Sequence, residues 1–329
     1  MSRIINQCAP GRDYESMNLE AKSGKKVHPG KYAMVIQIGS IRCAVTLGNP
    51  ETYTEWKQLY SEFITEGPAD ISIDLKVTDR FNSDCLPEVL YNTVFSHDGG
   101  RFWTNSCLVS GQYDLSRSTI SITAERELGN TECEYNHLNR LMALAYYSGC
   151  KVKYNGGTPP AFLLHACGIV RQGKAILFTG PSEVGKTSIA RLCGDRHGEI
   201  INDEMVLVSR PGTDGTGITT RGVPIIGGTS QRRNITVPIS CIFLLKQSSE
   251  TRVNHPGKTE VYLRLIRQVI NPAYIGQRGG REIYSMMADF STELVENIPI
   301  YELEFTLDEA TLWRTIAELE AILGKDERK

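Results

Sequence analysis

Eight consecutive residues in the second half of the chain have the composition of a phosphate-binding loop. They fit the pattern G-x-x-x-x-G-K-[ST] and are Gly180, Pro181, Ser182, Glu183, Val184, Gly185, Lys186 and Thr187. Glycines at these positions let backbone N–H groups curl around phosphate oxygens. Lys186 can then reach the β- and γ-phosphates, and the Thr187 hydroxyl can bind Mg²⁺. The motif therefore predicts a site for ATP and Mg²⁺, and we include the next residue, Ser188, among its nucleotide-binding residues.

The residues on either side of this motif have the context that it requires. Lys174–Thr179 is a short, largely apolar run of strand length, and Ser188–Leu192 continues as a predicted helix. A strand, a glycine loop and a helix start in that order distinguish a phosphate site from a chance turn between a strand and a helix.

Two adjacent acidic residues follow the loop at a distance that one helix and a turn would span. Asp203 comes 17 residues after Lys186, and Glu204 is next to it, beside a short predicted strand. In phosphoryl transfer one carboxylate can hold Mg²⁺ while another accepts a hydroxyl proton. The alternative is a solvated strand end.

A predicted hairpin before the loop indicates the type of sheet. Ala161–Val170 is typical of a strand, and the turn residues 171–174 connect it to the strand that feeds the loop. In common P-loop NTPases the neighbouring strands are parallel and joined by helices. We therefore predict a mixed α/β or α+β fold in which a mixed sheet surrounds the loop.

The remaining pattern predicts two domains and a leading arm. Residues 1–30 are polar and interrupted by Pro-Gly pairs, which predicts an N-terminal arm. Residues 31–157 alternate in short β-rich runs, which predicts a mostly antiparallel domain with a helix near 134–147 that can end at Gly149. Residues 158–329 form the predicted phosphate-loop domain.

Several smaller features of the pattern carry predictions of their own. Apolar spacing predicts a helix over Tyr53–Ile64, and Thr306 with Glu309 forms a capping box for the last helix. A glycine- and arginine-rich stretch contains Arg221, Arg232 and Arg233. This stretch is either a solvated loop or a mobile segment that brings an arginine to the transferring phosphate.

Composition limits the classes of partner. A formal net charge of −2 argues against general capture of nucleic acid or anionic membrane, and no apolar run approaches the roughly 18 residues of a membrane helix. The N-terminus lacks the apolar core of a signal peptide. Nine cysteines without a C-x-x-C pair predict reduced thiols in a cytoplasmic protein. The sequence leaves open whether the protein forms a homo-oligomer.

Three segments together resemble the HPr kinase/phosphorylase family and, more closely, its smaller kinase-like relatives. They are Leu164-His165-Ala166, the loop itself, and Asn202-Asp203-Glu204-Met205-Val206, and the resemblance covers residues 161–320. It implies a kinase core similar to HPr kinase and the ATP-dependent phosphoenolpyruvate carboxykinases. It also implies that Asp203 is the acid nearest the substrate hydroxyl, that Glu204 helps to hold Mg²⁺, and that His165 orients groups or handles a proton beside the phosphates. Without the resemblance, a histidine ending an apolar strand is more often a core residue.

The sequence departs from the family at two positions of the site. Glu204 stands where a second Asp is usual, and Glu183 replaces a small, glycine-like residue. The downstream glycine/arginine loop of true HPr kinases has no clear copy here, so neither HPr as substrate nor phosphorylase activity is implied.

Three hypotheses follow from these patterns. The first is a Mg²⁺- and ATP-dependent kinase whose acceptor hydroxyl belongs to a small protein, a peptide or a metabolite. The second is a regulatory module that holds a nucleotide without transferring phosphate. The third is an ordinary P-loop ATPase or GTPase, against which the hairpin argues.

Overall fold

The chain is a mixed α/β protein, with two mixed sheets and six helices in its described residues. The computed structural model describes residues 32–78, 94–98, 101–105, 109–114, 118–125, 132–210, 217–270 and 281–326. The predicted arm over residues 1–30 lies outside these ranges. None of the helices in these ranges is long and apolar enough to cross a membrane.

The first sheet has eight strands in the order β3-β1-β2-β4-β8-β7-β6-β5. Its pairs are antiparallel except β2 with β4 and β4 with β8, which are parallel. The strands are β1 Ala33–Ile38, β2 Ile41–Leu47, β3 Ile64–Thr65, β4 Ile71–Thr78, β5 Val94–Asp98, β6 Arg101–Asn105, β7 Val109–Asp114 and β8 Thr119–Glu125.

The second sheet has nine strands. Its longest strand, β15, pairs with different neighbours along its length. The first residues of β15 pair with β14, and its later residues pair in parallel with β11 and β17. The strands are β9 Ala161–Leu164, β10 Ala166–Arg171, β11 Lys174–Thr179, β12 Glu199–Asn202, β13 Val206–Ser209, β14 Thr219–Gly222, β15 Thr236–Gln247, β16 Arg252–Asn254 and β17 Ile300–Phe305.

The helices cover the sheets and join them. They are α1 Pro50–Leu59, α2 Glu132–Lys153, α3 Lys186–His197, α4 Lys258–Leu265, α5 Arg281–Asn297 and α6 Glu309–Asp326. Helix α2 lies at the end of the first predicted domain in sequence. Its buried residues belong to one core cluster that includes side chains of both sheets, among them Ile41 and Phe162.

Strand β11, which leads into the predicted phosphate loop, is buried on both faces. Ala175 and Leu177 pack into the core cluster that both sheets share, whereas Ile176 and Phe178 pack into a second cluster with helices α3 and α6. A strand covered on both faces needs an uninterrupted apolar sequence, which explains the run Ala-Ile-Leu-Phe. The predicted antiparallel hairpin is confirmed: β10 pairs with β11 around Gln172 and Gly173, both with positive φ, as a tight two-residue turn requires.

Two of the predicted elements differ in the structure because of tertiary contacts. The run Ala161–Val170 is two strands rather than one: β9 pairs with β13, β10 pairs with β11 and β12, and the chain changes partners at His165. Gly149 does not end helix α2. It lies inside the helix where a β-carbon would come within 2.2 Å of Ile41, so glycine permits the close approach to strand β2.

Two helix boundaries also differ from the prediction. Helix α1 begins earlier than predicted, because the Asn49 side chain caps it by accepting from the Thr52 N–H, and it ends at Leu59. The last helix is capped by Asp308, whose carboxylate accepts from the Thr311 N–H, and not by Thr306. The Thr306 hydroxyl instead accepts from the Asp308 N–H.

Candidate functional site

The predicted phosphate loop, Gly180–Thr187, joins the end of strand β11 to the start of helix α3. Its backbone contains two left-handed residues, Glu183 at φ 65° and Gly185 at φ 114°. The tip at Glu183 is solvent-exposed, and the Gln247 amide donates to the Glu183 carbonyl oxygen at 3.1 Å. A main-chain arrangement of this kind presents N–H groups at a helix start, which is an anion-binding geometry.

Lys186 is directed into the loop rather than to solvent. Its side-chain Nζ donates to the carbonyl oxygens of Gly180 at 3.2 Å and Pro181 at 3.1 Å, and the residue is 5% exposed. Burial lowers the pKa of the ammonium, and the negative charge of Glu204 opposes that shift. The cation is therefore close enough to the acidic pair to interact with it.

The acidic pair stands at the end of strand β12, where Asn202 fixes the turn. The buried Asn202 side chain accepts from the Glu204 N–H at 2.8 Å and the Met205 N–H at 2.9 Å. Its amide donates to the carbonyl oxygens of Val223 at 3.1 Å and Ile225 at 2.7 Å. Sequence reasoning assigned no role to Asn202. Asparagine side chains nevertheless often form turns by accepting a hydrogen bond from the backbone N–H two residues later, as Asn202 does here.

Asp203 is completely buried, and its two carboxylate oxygens differ. Oδ2 accepts from the Thr229 N–H at 3.0 Å, whereas Oδ1 has no hydrogen-bond partner among the described residues. Oδ1 lies 1.9 Å from the position that a β-carbon on Gly227 would take. A buried carboxylate oxygen without a partner is unfavourable unless a cation or a donor meets it.

Thr187 lies on the same side of the site as Asp203. A β-carbon on Gly228 would come within 3.4 Å of the Thr187 hydroxyl oxygen and within 3.6 Å of Asp203 Oδ2. Gly227 and Gly228 thus allow the chain to pass closely over both side chains. These two glycines were not predicted as site residues. Their role is visible only from their contacts with Asp203 and Thr187 in the folded chain.

Glu204 and His165 form the more accessible half of the site. Their closest atoms, His165 Nε2 and Glu204 Oε1, are 3.6 Å apart. Burial, with a contribution from Lys186, lowers the pKa of His165 to about 4, so the imidazole is neutral at pH 7. Burial raises the pKa of Glu204, the Lys186 charge opposes the shift, and Asp203 adds to it.

The side chains at this site fit Mg²⁺ better than they fit a metal ion whose ligands all come from the protein. Among the described residues no group of three or more His, Cys, Asp or Glu side chains could hold a metal ion. Mg²⁺ is commonly bound through one or two carboxylates with the remaining ligands from water and substrate phosphates. Asp203 and Thr187 supply that kind of incomplete set, with Glu204 next to Asp203, and the unpaired Asp203 Oδ1 is suited to a cation.

The three arginines of the glycine-rich stretch bond to groups outside the phosphate loop. Arg221 donates to Asn234 Oδ1 at 2.8 Å and to the Gly39 carbonyl oxygen at 3.3 Å. Arg232 donates to the Leu59 carbonyl oxygen, and Arg233 pairs with Glu62 and Glu199. In this arrangement these arginines hold parts of the fold together.

No family model and no curated protein matches this chain. The structure brings together Lys186, Thr187, Asp203, Glu204 and His165, which come from three separate stretches of the sequence.

Proposed function

We propose that this protein is a Mg²⁺- and ATP-dependent kinase that transfers the γ-phosphate to a hydroxyl group. The acceptor is a Ser or Thr of a small protein or peptide, or a hydroxyl of a metabolite. The observation that carries the proposal is the convergence of a G-x-x-x-x-G-K-T loop with two carboxylates, one of which has a buried and unpaired oxygen. The fold proposed for residues 158–329 is a kinase core of the HPr kinase/carboxykinase type. The antiparallel hairpin before the loop and the parallel strands β11, β15 and β17 support it.

The loop's part in this proposal is to bind and align the nucleotide. Its backbone N–H groups and the start of helix α3 attract phosphate oxygens, and the Lys186 ammonium exchanges its bonds to the loop carbonyls for bonds to phosphate. Such alignment of the reacting groups supplies much of the acceleration in phosphoryl transfer, because the protein performs little covalent chemistry.

The two carboxylates divide the remaining work. Asp203 and the Thr187 hydroxyl would hold Mg²⁺, because Asp203 is inaccessible to an acceptor and lies beside Thr187. When bound, the ion would neutralise phosphate charge. Glu204 is a third exposed and has a raised pKa, so it is the better-placed group to take the proton of the acceptor hydroxyl. This division differs from the roles that the family resemblance implies, in which Asp203 takes the proton.

Neutral His165 would keep Glu204 in position. Its backbone N–H donates to the Gln268 carbonyl oxygen at 2.9 Å, and the Thr179 hydroxyl donates to the His165 carbonyl oxygen at 2.7 Å. The backbone of His165 is therefore held on both sides, at the point where the chain changes sheet partners.

The test is transfer of label from γ-³²P-ATP into cell extract, compared among the wild type and three variants. Lys186→Ala should reduce transfer by about 10²–10³-fold, as losing one charge-stabilising donor does in other enzymes. Asp203→Asn should raise the Mg²⁺ concentration needed for half-maximal rate, whereas Glu204→Gln should lower the rate by about 10²–10⁴-fold at an unchanged Mg²⁺ requirement. Transfer that survives Lys186→Ala would refute the kinase assignment, and the reverse behaviour of the two carboxylate variants would restore the roles implied by the resemblance.

A nucleotide-holding regulatory module is the second candidate. It is favoured by the glutamate at φ 65° in the exposed loop tip and by the bonds of Lys186 to the loop's own carbonyls. Tight ATP binding without transfer to any acceptor, unchanged in Asp203→Asn and Glu204→Gln, would establish this function instead.

A further inference from the structure

The segment that covers Asp203 has little regular structure of its own. Residues 223–235 contain neither helix nor strand, yet Gly227 and Gly228 approach Asp203 and Thr187 more closely than a side chain would allow. The Thr229 N–H donates to Asp203. A loop that must keep carboxylate geometry to a fraction of an ångström needs fixed points outside itself. The location of those fixed points shows which part of the chain controls the site.

The segment is held next to Asp203 by Asn202, and a second fixed point is a side chain of helix α2. Asn139 donates from Nδ2 to the Ile226 carbonyl oxygen at 2.8 Å and accepts through Oδ1 from the Ile226 N–H at 2.7 Å. The residue is 7% exposed, and Ile226 directly precedes Gly227. Both backbone polar groups of Ile226 are thus held by one buried amide, which restricts the two peptide units on either side of the Ile226 Cα.

Helix α2 is itself anchored on the first sheet. The contact of Gly149 with Ile41 brings the helix against strand β2, and the Lys153 ammonium near its end donates to the Ser40 carbonyl oxygen at 2.6 Å. Two further bonds link the edges of the loop segment to the same part of the chain. Arg221 reaches the Gly39 carbonyl oxygen at 3.3 Å, and Arg232 reaches the Leu59 carbonyl oxygen at 2.5 Å.

We propose that Asn139 is a positioning residue for Asp203, and that the first part of the chain serves as the scaffold that sets the carboxylate geometry through it. This inference rests on the proposed kinase function. Asn139 touches neither reacting group in that scheme; it acts through Ile226, Gly227 and Thr229. The phosphate loop, in contrast, is held by Gln247 and by its own strand and helix. A substitution at Asn139 should therefore weaken Mg²⁺ binding and slow phosphate transfer, and it should leave nucleotide binding unchanged.

The experiment compares Asn139→Ala with Ser148→Ala, a substitution at a buried site of the same helix whose hydroxyl has no hydrogen-bond partner in the described structure. In Asn139→Ala the Kd for ATP without Mg²⁺ should stay within about threefold. The rate of transfer at saturating ATP should fall by about 10- to 100-fold, because a small misplacement is enough for that. The Mg²⁺ requirement should rise, and Ser148→Ala should change none of these.

Hydrogen exchange of the whole 329-residue chain separates this inference from the kinase assignment. The Ile226 and Thr229 amides should exchange faster in Asn139→Ala and stay protected in Ser148→Ala, whether or not any phosphate is transferred. If Asn139→Ala does not fold, Asn139→Asp keeps the acceptor for the Ile226 N–H and should show a smaller change of the same kind. Protection of Thr229 that is unchanged in a folded Asn139 variant, or equal losses in ATP affinity and rate, would overturn the inference. If the wild-type protein transfers no phosphate, the kinase function is refuted, whereas the exchange result for Asn139 still stands.

Discussion

The two sides of the candidate site are built in different ways. The phosphate loop occupies eight consecutive residues, and its tip is exposed and held through backbone carbonyls. The carboxylate side places Asp203 in a fully buried position that depends on Asn202, Thr229 and Gly227. One side is thus a local structure that a short sequence specifies, and the other is assembled from distant parts of the chain.

This difference has a physical origin in the two kinds of ligand contact. A phosphate can be bound by backbone N–H groups, which any sequence with the right glycines can present. A carboxylate that is to meet a metal ion must be buried and aimed by other side chains, and those side chains can come from anywhere in the fold. Substitutions on the carboxylate side should therefore have larger effects than substitutions at the loop tip.

The largest effect on stability is expected at Gly227. In Gly227→Ala the new β-carbon would meet Asp203 Oδ1 at 1.9 Å, so either the loop or the carboxylate must move. Forced overpacking of this kind should lower the free energy of unfolding by about 3 kcal/mol or more, measured by urea denaturation. Gly217→Ala is the matched control, because nothing lies within 4 Å of the added atom. Equal stability of the two variants would show that Asp203 is not confined as described.

A smaller effect is expected from the pH dependence of His165. Its pKa is lowered to about 4 in the folded protein from an unfolded value near 6.5, so the folded state disfavours protonation. The resulting stability is present above pH 6.5 and is lost as the pH falls from about 6.5 towards 4. Glu204, with a raised pKa, acts in the opposite direction: its contribution is present at low pH and is lost as the pH rises.

Replacing His165 separates its contribution to the pH dependence of stability from the contribution of Glu204. Relative to wild type, His165→Gln should gain about 2 kcal/mol in the free energy of unfolding between pH 7 and pH 4.5, measured by urea denaturation. The exposed His255 provides the control, since His255→Gln should follow the wild-type profile. Parallel profiles for wild type and His165→Gln would mean that burial does not keep the imidazole neutral.

The smallest effect is expected at the loop tip. Glu183 has φ 65°, a left-handed conformation that costs an ordinary residue about 1–2 kcal/mol. Because glycine loses more chain entropy on folding, Glu183→Gly should raise the free energy of unfolding by less than about 1 kcal/mol. Glu183→Ala keeps the strained conformation and should bring no gain in thermal denaturation. A gain of the same size in both variants would assign the effect to the lost charge instead.

The sequence predicted the elements whose signals are local. The hairpin β10–β11 and the helix after the loop both follow from turn residues and apolar runs within a few positions, and the mixed α/β class is confirmed. The errors fall where a distant contact decides. Gly149 stays helical because it approaches Ile41, and His165 divides two strands because β9 and β10 pair with different neighbours.

For the candidate site, the sequence by itself identified the candidate residues: Lys186 and Thr187 through the loop motif, and Asp203 and Glu204 through their adjacency and their distance from the loop. Only the tertiary structure decided that Asp203 is buried with one oxygen unpaired and that His165 lies beside Glu204. It also placed Asn139, 87 positions before Ile226, on the segment that covers Asp203. The reason is physical: backbone and helix-end interactions reach only a few residues along the chain, whereas burial and side-chain hydrogen bonds depend on which segments the folded core brings together.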